Sequence, residues 1–107
     1  MNLIELTNIA IKAALTAGEI IQKHMNETMA VEKKEAGTSL ASQVVTAVDL
    51  ACEKAILSHL LPTCDRFDIA LLSEETEDDS SRFEKSFFWC VDPLDGTLAF
   101  INKQPGF

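Results

Sequence analysis

Between Leu3 and Met25 the polar residues Glu5, Asn8, Lys12, Thr16, Glu19 and Lys23 recur at steps of three and four, with apolar side chains over most other positions. That period predicts a helix solvated along one narrow stripe and packed over the rest of its circumference. Gly18 lies inside it at about 1 kcal/mol relative to alanine, which leads us to expect a close helix contact at that point. MAVEKK, Met29 to Lys34, has Ala30 and Val31 as its only apolar centre and reads as a short strand. EAGTSLASQ, Glu35 to Gln43, is small and polar, the composition of a flexible loop. A second helix is predicted from near Thr46 to Leu61, because Pro62 disfavours helix in the residue before it. Ile69 to Leu72 and Phe87 to Val91 are apolar runs of strand length. Between them TEDDSSRFEK, Thr76 to Lys85, is charged and loop-like. Helix, strand, helix, strand, strand is an α/β or α+β order.

Composition narrows the class without changing this picture. The chain has 107 residues, 47% of them hydrophobic and 24% charged, one domain's worth at most. No apolar run approaches the roughly 20 residues of a membrane span. MNLIELTNIAIKAA has neither the basic start nor the cleavage site of a signal peptide, so a cytoplasmic location is the default expectation. Cys52, Cys64 and Cys90 share no metal-type spacing with each other or with His24 and His59, and read as free, mostly buried thiols. A formal net charge of −8 argues against nucleic acid as an electrostatic partner.

Position says more than total charge. Both apolar runs end in acids: Glu74 and Glu75 follow the first, Asp92 and Asp95 the second. If the two strands are parallel neighbours, four carboxylates meet at one sheet edge, where open α/β sheets bind ligands. Such a group repels itself unless cations sit between its members, and oxygen donors suit Mg²⁺ or Mn²⁺. Pro93 stiffens the turn between the two aspartates, the Leu94 carbonyl lies between them, and Gly96 admits close approach of a ligand. A helix starting at Asp95 or Gly96 would add free N–H groups, an anion site beside the cations. The plainer readings are that Asp-Pro and Asp-Gly are turn dipeptides, and that Thr46 and Asp49 form a capping box, T-x-x-D, opening the second helix.

WCVDPLDGT, Trp89 to Thr97, resembles the W-x-x-D-P-[IL]-D-G-T signature of the inositol monophosphatase family. SEE at Ser73 to Glu75 resembles the family's G-E-E or S-E-E element, and VVTAVD at Val44 to Asp49 its V-T-x-x-D element; all three stand in family order. The resemblance implies a layered sugar-phosphatase-like α/β fold, with N-terminal helices packed on a mixed sheet. It implies Mg²⁺-dependent hydrolysis of a small phosphate ester, most readily inositol monophosphate, by metal activation of water. Glu74, Asp92 and the Leu94 carbonyl would bind one metal, and Asp92 and Asp95 would share a second. Glu74 and Thr97 would orient and deprotonate the water, while Asp95 and the backbone of Gly96 and Thr97 hold the phosphate. Asp49 would sit near a third metal, where lithium sensitivity is usual in the family, with Glu75 and Thr46 in support. Homodimers are usual in the family, and neither nucleic acid nor membrane is implied as a partner.

The chain also departs from the family pattern. Ser42 and Gln43 stand where relatives often have an Asp before V-T-x-x-D, and Leu98-Ala99-Phe100 replaces the common T-N-F. Family members are much longer, so residues 1–107 are expected to form the N-terminal portion of such a phosphatase domain, a fragment or truncated product with an open sheet edge and an uncovered apolar face. The alternative functions are a 3′(2′),5′-bisphosphate nucleotidase of the same family and a catalytically silent cation-binding or interaction module.

Overall fold

Asn2 starts the first helix: its side-chain oxygen accepts the Glu5 amide N–H at 3.0 Å, satisfying one of the donors a helix start leaves free. The computed structural model describes residues 1–34, 38–74 and 77–95, and of residues 26–34 and 38–46 the helical backbone alone. The helix so begun, α1 (Leu3–Lys34), is followed by α2 (Thr38–Phe67), β1 (Ala70–Ser73), a 3₁₀ turn (Ser81–Phe83) and β2 (Phe88–Val91).

α1 and α2 run antiparallel. Glu5 of α1 takes a two-pronged ion pair from Arg66 near the end of α2. Further along, Thr16 stands 3.3 Å from His59 Nε2, and the Cys52 thiol donates to the Ala17 carbonyl at 3.7 Å. Ala13 and Ala17, four apart on α1, are buried against α2, and their small size lets the helices approach. Ala17, Val48, Cys52 and Leu94 form one core cluster and Ala13, Leu60 and Val91 a second; Ile56 packs against both.

Both helices outrun the sequence expectation. α1 continues through Met29–Lys34, where a strand was expected, and α2 starts at Thr38, inside the expected loop. A two-residue apolar centre offers a strand little to pair with, whereas extending a helix already nucleated costs little. Upstream of Val44 the nearest breaker is Gly37, so the second helix propagates back to Thr38. Thr46 and Asp49 therefore lie in a helix interior and do not open α2. Nor does Pro62 end α2, which runs on to Phe67. Ser58 and Pro62 are both exposed, so water can serve the carbonyl that proline leaves without its helix donor. The turn beyond is held from outside: the Thr63 hydroxyl donates to the Leu60 carbonyl at 2.6 Å and accepts the Trp89 indole N–H at 2.8 Å.

Asp68 closes α2 in the left-handed region, φ 56°, and Ile69 N–H returns to the Cys64 carbonyl at 3.1 Å, a Schellman closure with Ile69 buried. Lys85 pairs with the Asp68 carboxylate, and that contact holds the lysine's pKa above its ordinary value. The chain then enters β1. β1 and β2 are parallel, in the register Ala70↔Phe88, Leu71↔Trp89, Leu72↔Cys90 and Ser73↔Val91. The two expected strands are thus neighbours in one sheet, each displaced by one residue from its expected start; of the expected mixed sheet, this parallel pair is the part described. Within the charged crossover, Asp78 and Asp79 accept the Ser80 and Ser81 amides at 2.9 Å each and seat the 3₁₀ turn.

The expected near-complete packing of α1 does not hold. Leu6, Ala13 and Ala17 are buried, but Ile4, Ile11 and Leu15 are exposed, because α2 and the sheet meet one side of the helix. Gly18 has no close neighbour either: a side-chain carbon placed there meets nothing within 4 Å. The radius of gyration is 15.8 Å, against about 13 Å for a compact domain of this length. The long helical hairpin accounts for the difference. Among the described residues no helix is long and apolar enough to cross a membrane.

Candidate functional site

The C-terminal ends of β1 and β2 bring together one predicted acid from each run, Glu74 and Asp92. Glu74 N–H donates to the Val91 carbonyl at 3.0 Å, so the ladder extends one residue past β1. Continuing the register sets Glu74 beside Asp92 on adjacent strands, which lie about 4.8 Å apart in any sheet. Both acids are exposed, as is Asp95 beyond the turn. This is the carboxyl end of a parallel sheet, the usual ligand-binding edge of an α/β fold.

Pro93 and Leu94 are buried between these exposed aspartates. The Leu94 side chain, 4% exposed, is embedded among Ala17, Val48 and Cys52. Leucine at the centre of D-P-L-D is therefore an anchor that pulls the acid-bearing turn onto both helices. A groove of about 370 Å³ runs along that turn, between Pro93, Leu94 and Asp95 on one side and Gly18, Ile21 and Met25 of α1 on the other.

Asp49 is half-buried on α2, one helical turn from Glu53 and three residues before Cys52. Burial pushes the Cys52 thiol above its ordinary pKa, and the negative charge of Asp49 pushes it the same way. Cys52 also packs on Leu94, which sets Asp49 on the side of α2 nearest the acid-bearing turn. Cys52 is buried, Cys64 half-buried and Cys90 exposed, all three as free thiols. Glu75, Gly96 and Thr97 lie outside the described residues, as does the side chain of Thr46 within α2.

Carboxylates with a backbone carbonyl between them are a hard-oxygen donor set, fitting Mg²⁺ or Mn²⁺ in kind. Among the described residues no three His, Cys, Asp or Glu side chains already stand close enough together to hold an ion. The edge sets Glu74 beside Asp92 without closing the described acids into a ligand shell.

Sequence reasoning passed over Glu53. It is 7% exposed and accepts a hydrogen bond from the Ser73 hydroxyl, one residue before Glu74. In sequence it reads as one more charge on a helix; its one distinguishing signal is a position four residues after Asp49, on the same column of α2.

A helical hairpin laid on parallel strands whose carboxyl ends carry acids defines an α/β protein with its ligand edge at β1 and β2. Comparison makes the class specific: the chain matches the model of the inositol monophosphatase family over residues 2–107 and belongs to that family. It is 33% identical over 102 residues to Nus factor SuhB of Escherichia coli K12, covering 95% of this chain and 36% of that protein. It is 36% identical over 104 residues to inositol monophosphatase 3 of Solanum lycopersicum, covering 94% and 36%. With inositol-1-monophosphatase of Bacillus subtilis it shares 31% identity over 106 residues, 99% of this chain and 38% of the relative. The chain thus spans a little over a third of the length of these relatives. No solved structure gave a match to the chain.

Proposed function

We propose that the whole protein is an Mg²⁺-dependent phosphomonoesterase acting on a small phosphate ester, with inositol monophosphate as first candidate, and that residues 1–107 are the N-terminal portion of its phosphatase domain. The observation that carries this reading is the parallel pairing of β1 with β2, whose ladder sets Glu74 beside Asp92 at the ligand edge. Family membership and relatives named as inositol monophosphatases support it.

Glu74, Asp92, Asp95 and the Leu94 carbonyl are the residues proposed to hold the cations, with Asp49 flanking them. When bound, such cations polarise phosphate oxygens and lower the pKa of a bound water. The chain's own work is positioning. Leu94 clamps the turn that carries Asp92 and Asp95, and the Glu74 amide ties the end of β1 to β2. Thr97 and Glu74 are proposed to hold the attacking water and take its proton, Glu75 and Thr46 to support the acids, and Gly96 and Thr97 to present backbone N–H groups to the phosphate. A chain carrying net charge −8 favours a small ester over a nucleic acid, and a cytoplasmic setting suits its three free thiols.

Phosphate release by the whole protein should require Mg²⁺ and fall by orders of magnitude in Asp92→Asn, which keeps the side chain's shape and removes the charge. Undiminished turnover in excess chelator ends this reading. Assaying inositol monophosphate beside a 3′(2′),5′-bisphosphate nucleotide decides between the two family substrates. A second reading, a partner-binding role that does not depend on turnover, is favoured by the relatives named as Nus factors; it is upheld if Asp92→Asn, made to block hydrolysis, leaves the protein's cellular role intact.

A further inference from the structure

Both acid-bearing strand ends are gripped by the same stretch of α2. Val48 and Cys52 pack against Leu94, inside the Asp92–Asp95 turn. Glu53 takes the hydroxyl of Ser73, the last residue of β1. Positions 48, 49, 52 and 53 fall on one helical face, so a little over one turn of helix fixes both ends from one side. Glu53 and Ser73 are 7% and 5% exposed. A carboxylate buried to that degree is costly unless hydrogen-bonded, and Ser73 is a donor it has. Apolar packing would hold the end of β1 without direction. A hydrogen bond from one hydroxyl holds it in one register, and a slip by one residue would carry Ser73 to the opposite face.

We propose that Glu53 is a positioning residue: through Ser73 it locks the end of β1 so that Glu74 sits beside Asp92. Its consequence for catalysis rests on the phosphatase reading above; the locking of the strand end does not. Removal of residues that orient metal-binding side chains commonly lowers metal affinity or activity 10–100-fold, and an effect of that size is expected here.

The test uses the whole protein with Glu53→Ala, Glu53→Gln, Ser73→Ala and Leu6→Ala, the last removing a buried side chain at the start of α1 that belongs to neither core cluster. Hydrogen exchange at the Glu74 amide is read together with Mn²⁺ affinity by electron paramagnetic resonance, kcat and KM for the phosphate ester, and the thermal midpoint. In Glu53→Ala and Ser73→Ala the Glu74 amide should exchange at least tenfold faster while the Ala70 amide keeps its rate. Mn²⁺ affinity and kcat should fall by at least tenfold, with KM changed less. Glu53→Gln, which keeps an acceptor for Ser73, should return to within a few-fold of wild type. Leu6→Ala should lower the thermal midpoint and leave Glu74 exchange and Mn²⁺ affinity at wild-type values. A Glu53→Ala protein that behaves like Leu6→Ala overturns the proposal, as does wild-type Glu74 exchange in both Glu53→Ala and Ser73→Ala. A wild-type protein that neither binds Mn²⁺ nor releases phosphate instead overturns the phosphatase reading, whatever the exchange data give.

Discussion

Leu94→Ala tests whether the acid-bearing turn is clamped from within. The side chain is 4% exposed and surrounded by Ala17, Val48 and Cys52. Truncation removes three carbons at about 0.8 kcal/mol each, about 2.4 kcal/mol of transfer free energy. A residual cavity adds to this, though the adjoining groove of about 370 Å³ gives neighbours and water room to relax into the gap. The expected loss is therefore about 3 kcal/mol, the lower half of the range for buried Leu→Ala changes. Native domains have total stabilities of roughly 5–15 kcal/mol, so this is a large share, worth about 12–24 °C in Tm for a folded unit of about 100 residues. Urea unfolding of the chain can be followed by the fluorescence of Trp89, its one tryptophan, with the midpoint falling and the slope unchanged. Leu94→Met, close in volume, should lose less than about 1.5 kcal/mol. A Leu94→Ala midpoint within about 0.5 kcal/mol of wild type would mean that the turn is not anchored on the helices.

Thr63→Val should destabilise by about 1–2 kcal/mol and shift the Trp89 emission, since the indole N–H loses its partner at 2.8 Å in a half-buried site; unchanged emission and stability would remove Thr63 as the brace beyond Pro62. Gly18→Ala should stabilise by about 0.4–1 kcal/mol, because the added carbon meets nothing within 4 Å and the residue is helical; a loss of stability would reveal a contact at that face. Burial raises the Cys52 and Cys64 thiols in the fold, so their contribution is fully present below the unfolded thiol pKa of about 8.5 and is lost as pH rises through the folded values. Urea midpoints should therefore decline as pH rises above about 8.5, less steeply in Cys52→Ala, and a flat wild-type profile would contradict the burial of these thiols.

The chain's linear pattern singled out the acids that close the two apolar runs, and determined that those runs become strands. Ile69–Leu72 and Phe87–Val91 are short, apolar and closed by acids, features local enough to read directly, and β1 and β2 fall on them with one-residue shifts. Helix ends were another matter. Whether Met29–Lys34 pairs as a strand or extends α1, and whether Pro62 stops α2, depends on what else touches those residues. At Pro62 the deciding contacts are Thr63 with Trp89 and Arg66 with Glu5, 26 and 61 residues apart in sequence. The parallel register that sets Glu74 beside Asp92 was only a condition in sequence and is a hydrogen bond in the structure. Leu94 and Glu53 show the limit most plainly. In sequence one is the filler of a D-P-L-D turn and the other a charge on a helix. Both are buried on one face of α2, because burial belongs to the assembled surfaces and not to the residue type.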